Sequence, residues 1–167
     1  MKLWQIGILG IALLVQSLLG ANSAGLENAL DISASGAGAQ RVKAQVIADN
    51  IANIDTTKTS DGLPYRRKVV TFKTAEDFSR RARANRMMLK GVQVVSVESE
   101  KGAENNFRRV YKPDHPDADA AGFVYYPNID LASELVELSE AGSAFENNVV
   151  VFNNTKAMMQ ASLELAQ

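Results

Sequence analysis

Leu131, Leu138, Phe145, Phe152, Met159 and Ala166 recur at intervals of seven residues along the last part of the chain. This repeat is the strongest constraint in the sequence. A seven-residue apolar spacing means 3.5 residues per turn, the period at which a helix keeps one stripe against a partner while the pair supercoils. Leu135, Val149 and Leu163 fill positions four further on, with Gly142 and Lys156 as gaps. Val151, Met158 and Leu165 form a second, adjacent stripe, also spaced by seven. One partner cannot cover both stripes, so the spacing predicts a helix packed among several, within the chain or between chains. Asp130 is placed to cap its start, with Glu134 in the first turn.

A second helical stretch lies near the other end. Residues 26–54 are Ala-rich, and Val42, Val46, Ile47, Ile51 and Ile54 carry an apolar stripe. Asp31, Ser33 and Ser35 are candidate N-caps, and Gly36 and Gly38 soften the expected start. The stretch ends in "DNIANIDTT", Asp49 to Thr57, where Asn50 and Asn53 sit beside the isoleucine face. Asparagine is a poor helix former. The Thr56–Thr57 pair then ends the helix, because short polar side chains compete for backbone hydrogen bonds.

Between the helices the pattern changes to strands. "DGLPY" (Asp61–Tyr65) is a turn signal. "RRKVVTF" (66–72) and "GVQVVSVES" (91–99) read as strands, the second with Val92 and Val94 on one face and Val95 and Val97 on the other. "FRRVYKP" (107–113) and "GFVYYP" (122–127) are two more, joined by the turn-rich "DHPDADAAG". The fold class is therefore α+β. Helices at the two ends meet as a hairpin and bracket a small β-rich insertion. The divisions are 1–24, a leader or extension; 25–57, the N-terminal helix; 58–127, the β-rich middle; and 128–167, the C-terminal helix.

The leader, "MKLWQIGILGIALLVQSLLGANSA", has one early cation, an apolar run from Leu3 to Leu19, and small residues at Ala21–Ser23. That is the layout of a secretory signal peptide. An uncleaved anchor, an amphipathic helical extension and a misassigned start remain open beside it. Gln5, Gly7, Gly10, Gln16 and Ser17 make the run weak for a membrane span.

Composition removes most chemistry. No cysteine is present, which excludes disulfides and thiol catalysis, and one histidine, His115, removes most zinc sites. A net charge of −1 in 167 residues gives no basis for nucleic-acid binding. Asp114, His115, Asp117 and Asp119 invite a metal reading, and the spacing of Asp117, Asp119 and Gly122 faintly resembles half a calcium loop, but the remaining ligands are missing, and an Asp-rich turn bonding its own backbone accounts for them. Glu98 and Glu100 lie on a polar strand end. The tyrosines 65, 111, 125 and 126 read as core or interface residues, and Arg80, Arg81, Arg83 and Arg86 as a solvated basic face. No phosphate loop, nucleophile elbow or catalytic triad order occurs. The reading is no enzyme, no catalytic residue, no cofactor and no metal. A hairpin with apolar surface still to bury points to self-assembly.

Three pieces then resemble a known family. "LDISASGAGAQRVKAQVIADNIANIDTTKTSDGLPYRRK" (30–68), "HPDADAAGFVYYPNIDLASELVEL" (115–138) and "ENNVVVFNNTKAMMQASLEL" (146–165) are similar to flagellar basal-body rod proteins, of the FlgC type. The resemblance runs from about Leu26 to the end. Ser143, Phe145 and Asn147 depart from the family's usual Arg, Tyr and Ala, and residues 1–24 precede its usual beginning. The resemblance implies a subunit of the proximal rod in the periplasm. Its end helices would pair as an antiparallel coiled-coil core around the export channel, with the β-rich middle projecting outward. Its work would be mechanical: carrying torque while leaving a path for exported proteins. Partners would be copies of itself, other rod proteins and adjacent basal-body and export-gate components, with no nucleic acid and no small-molecule substrate. Asn50, Asn53, Leu138, Phe145, Asn148, Phe152, Asn153 and Met159 would form the assembly interface, with Asn50 and Asn53 fixing register by hydrogen bonding. The leader keeps one alternative in view, a Sec-exported periplasmic envelope-binding paralogue on the same fold. An enzyme acting on peptidoglycan is disfavoured, since no acid/base pair emerges.

Overall fold

A computed structural model describes residues 2–74, 91–100 and 106–165, with side chains from Gly25 onward. The element order is a long helix α1 (Lys2–Ala52), strands β1 (Lys68–Thr74), β2 (Val92–Ser99), β3 (Phe107–Tyr111) and β4 (Phe123–Pro127), and a second long helix α2 (Leu131–Glu164). The α+β class and the four strands follow the sequence reading. The Arg-rich segment 75–89 and Ala166 lie outside the described residues. Among the described residues, no helix is long and apolar enough to cross a membrane.

The helix start expected near Ser33 is corrected, because α1 runs unbroken through it. Ser33 and Ser35 are not caps. The Ser33 hydroxyl donates to the carbonyls of Ala29 (2.8 Å) and Leu30 (3.0 Å), and that of Ser35 to Ile32 (2.8 Å). A serine that bonds back to its own helix in this way needs no helix end. The other end of α1 behaves as expected. The Asn53 side chain donates to the Asp49 carbonyl at 2.8 Å, and the Thr56 hydroxyl donates to Asn53 Oδ1 at 3.1 Å. The start of α2 is also as expected, with Asp130 accepting from the Ser133 hydroxyl at 2.6 Å and from the backbone N–H groups of Ala132 and Ser133.

The two helices pack antiparallel. Asn50 meets Glu134, and Gly36 meets Asn148, so both contacts are separated by two heptads on each helix. The β-rich middle is two separate two-stranded antiparallel sheets. The β1–β2 hairpin carries an irregularity between Thr71 and Phe72 and lies on α1, where the Val92 N–H donates to Ser35 Oγ at 3.1 Å. The β3–β4 hairpin buries Val124 and Tyr126 on one face. Asp119 closes its connection by accepting from the Ala121 and Phe123 N–H groups, both at 2.9 Å.

Candidate functional site

The face of α2 turned to α1 has two rows. Leu138, Phe152 and Met159 are half-buried, and Phe145 in the same row is 38% exposed. This row was legible as the seven-residue repeat. The second row is Glu134, Ala141, Asn148 and Thr155, also spaced by seven, of which Glu134, Ala141 and Thr155 are buried. Of the row expected from Leu135, Val149 and Leu163, Val149 is half-buried, while Leu135 and Leu163 are 51% and 60% exposed in the single chain. An apolar search passes over the second row because its members are polar or small. Their shared spacing was the available signal. Two of its polar members satisfy themselves at short range. Thr155 donates to the Val151 carbonyl and Asn148 to that of Ala144, both at 2.8 Å. Small or self-bonded side chains let the helix backbones come close, and Gly36 opposite Asn148 makes the same accommodation.

The stripe of Val151, Met158 and Leu165 faces away, at 50%, 62% and 89% exposure. Val136 and Val150 are exposed beside it. Scattered exposed apolar residues are ordinary, whereas a continuous stripe marks an interaction surface. Asn153 is exposed and Asn53 half-buried. Asn53 spends its hydrogen bonds on the helix end, as helix-end polarity predicts.

Asn50 is different. It is 1% exposed and sits at the corner where both helices meet β1. Its Nδ2 donates to the Lys68 carbonyl (2.9 Å) and to Glu134 Oε2 (3.2 Å). Its Oδ1 accepts from the Lys68 N–H (2.9 Å) and the Tyr65 hydroxyl (3.0 Å). All its hydrogen-bonding capacity is used inside the chain, partly against the C-terminal helix. Arg67 completes the corner. Its Nε donates to Glu134 Oε1 at 2.6 Å and its Nη2 to Glu137 Oε1 at 3.0 Å, while Glu100 lies 3.9 Å from Nη1. Lys43 of α1 reaches Glu137 at 4.0 Å.

The electrostatics fit this arrangement. Burial raises the Tyr65 pKa above its ordinary value, and the Asp49 and Glu134 carboxylates raise it further. Burial opposes the Arg67 charge, but the hydrogen bond to Glu134 and the surrounding carboxylates of Glu134, Glu137 and Glu100 outweigh it and raise the pKa. Sequence reasoning missed Tyr65, Arg67 and Glu134 as a group. Glu134 is 67 residues from Arg67 in the chain, and nothing local marks it as buried. The three do belong to two of the quoted family pieces, which meet here.

Both oxygens of Glu134 are occupied, one by Arg67 and one by Asn50. Among the described residues, no group of three His, Cys, Asp or Glu side chains is arranged to hold a metal ion. Asp117 accepts from the Thr57 hydroxyl at 2.7 Å, tying the chain after α1 to the β3–β4 connection. The arrangement is suited to holding elements at a fixed angle.

Comparison with known proteins agrees on one family. Residues 30–58 match the family described as flagella basal body rod protein, and residues 120–165 match the C-terminal family of flagellar basal body rod FlgEFG proteins. The flagellar basal-body rod protein FlgC of Bacillus subtilis is 36% identical over 151 residues, covering 84% of this chain and 97% of that protein. FlgC of Salmonella typhimurium is 37% identical over 142 residues, covering 85% and 98%. FlgC of Borreliella burgdorferi is 33% identical over 161 residues, covering 86% and 99%.

Proposed function

The chain belongs to the FlgC family of flagellar basal-body rod proteins, and we propose that it is a subunit of the proximal rod, the shaft that carries torque across the periplasm. It is a structural protein and not an enzyme. The observation that carries this reading is the pairing of a locked corner with an unsatisfied helix face. Asn50, Arg67 and Glu134 fix one end of the helix pair, while Val151, Met158 and Leu165 expose a stripe that needs neighbours.

In this reading residues 25–57 and 128–167 form the coiled-coil core around the export channel. Residues 58–127 face outward, and residues 1–24 precede the core. Neighbouring subunits are copies of the chain, other rod proteins and the adjoining basal-body and export-gate components. Leu138, Phe145, Asn148, Phe152 and Met159 serve the helix seam, and Asn153 lies on the outward side. Asn50 and Asn53 act on assembly from within, by holding the end of α1. The envelope-binding alternative is not favoured, since relatives matched over nearly their whole length are rod proteins.

The test is deletion of the gene in its own background, with fractionation of basal bodies from the complemented strain. Loss of flagella and motility, with the protein in the basal-body fraction, is the expected result. A motile deletion strain with intact rods and no substituting paralogue refutes the reading.

A further inference from the structure

Among the described residues, Glu134 is the only charged side chain that is buried, at 1% exposure. Stability alone does not ask for a carboxylate there. The rest of its row is Ala141, Asn148 and Thr155, none of them charged. Apolar residues of similar volume can often replace a buried ion pair with no loss of stability. What the carboxylate adds is direction, because a hydrogen bond fixes an angle and an apolar contact does not.

The geometry uses that direction. The Asn50 amide bonds both the N–H and the carbonyl of Lys68, at 2.9 Å each, as a neighbouring strand would. Lys68 is the first residue of β1, so the hairpin is held to α1 from its base. Glu134 of α2 accepts from this same amide and from Arg67, one residue before the strand. Arg67 also reaches Glu137 on α2 and Glu100 just past β2. Glu134 therefore joins both helices to the base of β1, and Arg67 extends the link to the end of β2.

We propose that Glu134 is a positioning residue for assembly: it sets the angle at which the β1–β2 hairpin leaves the helix pair, and so the outer surface each subunit offers its neighbours. This rests on the rod-subunit reading. The hairpin contributes Val95 and Val97, 40% and 43% exposed, to that surface.

The test compares wild type with the apolar pair Arg67→Met/Glu134→Leu and with Glu134→Gln. The chain has no cysteine, so Val97→Cys and Ser139→Cys accept one spin label each on the hairpin and on α2. Distances between the labels are measured in the purified full-length chain, alongside thermal melting and, in cells, swarming. The apolar pair is expected to melt within a few degrees of wild type, to broaden the distance distribution, and to lower swarm diameter at least threefold. Glu134→Gln keeps one acceptor oxygen but turns its amide NH2 towards the second donor, so it preserves only one of the two bonds and is expected to lie between the two. A distance distribution as narrow as wild type, or undiminished swarming, overturns the proposal. If the apolar pair does not fold, Glu134→Gln decides by the same two readouts. A motile deletion strain would instead remove the rod reading, so the two failures are distinguishable.

Discussion

Gly36 of α1 faces Asn148 of α2 so closely that a Cβ at position 36 would lie 2.8 Å from the Asn148 Oδ1. Alanine there gains about 1 kcal/mol in helix propensity. It also pushes the Asn148 amide off its 2.8 Å hydrogen bond to the Ala144 carbonyl, a loss of about 1 kcal/mol. Gly36→Ala should therefore be nearly neutral in thermal or urea denaturation. Gly36→Leu should cost about 1–3 kcal/mol, because overpacking forces the helices apart. In an Asn148→Ala background, Gly36→Ala should stabilise, by about the propensity gain.

Gly91 presents the opposite case. Its φ is +116°, and a Cβ would lie 2.0 Å from Ser35 Oγ and 2.9 Å from Ser35 Cβ. Backbone strain of about 1–3 kcal/mol adds to the collision, so Gly91→Ala should lower stability by at least about 2 kcal/mol. Removing the hydroxyl with Ser35→Ala should recover only part of this, since the strained φ remains. Hydrogen exchange at the Val92 amide, which now donates to Ser35, should accelerate most.

These two glycines also mark the limit of what the sequence discloses. The Leu138–Phe145–Phe152–Met159 row was readable because apolar side chains at a fixed period announce a buried face. The four strands were readable from alternation and turn residues. The row of Glu134, Ala141, Asn148 and Thr155 has the same period, but burial of a polar group depends on partners supplied from elsewhere in the chain. Glu134 is buried only because Arg67 and Asn50 arrive from 67 and 84 residues away. Gly36 reads as a softener of the helix start and Gly91 as the first residue of a strand, and only the helix that faces each one gives it its role. The unbroken α1 was missed for a similar reason: Ser33 and Ser35 signal a cap locally, and the helix context satisfies them instead.

Met158 and Phe152 separate folding from assembly. Met158 is 62% exposed, so Met158→Asp should change the melting of the isolated chain by less than about 0.5 kcal/mol. If the outward stripe contacts neighbours, the same variant should be absent from purified basal bodies. Phe152 is half-buried. Phe152→Asp should both destabilise the helix pair by several kcal/mol, as an order-of-magnitude cost of burying a charge, and block incorporation. Immunoblotting of basal-body fractions and circular dichroism of the purified chains check both. Normal incorporation of either variant would show that its row is not an assembly surface.

Acid should weaken the chain through Asp119 and Asp130. The backbone N–H of Phe123 holds the Asp119 pKa below its ordinary value, with the Ala121 N–H, the Arg109 charge and the Tyr125 hydroxyl adding to the effect. The Ser133 hydroxyl does the same for Asp130, with the Ser133 and Ala132 N–H groups. Both carboxyls have a folded pKa below the unfolded value of about 3.9. Their contribution is therefore fully present above that value and is lost as pH falls through the folded pKa. Wild type should lose stability progressively below about pH 4–5. Asp130→Asn keeps a good N-cap but removes the titration. It should melt close to wild type under strongly acidic conditions and below it at neutral pH, flattening the curve. Melting temperatures across this range, followed by circular dichroism, measure the slope, and an unchanged slope in Asp130→Asn would place the acid sensitivity elsewhere.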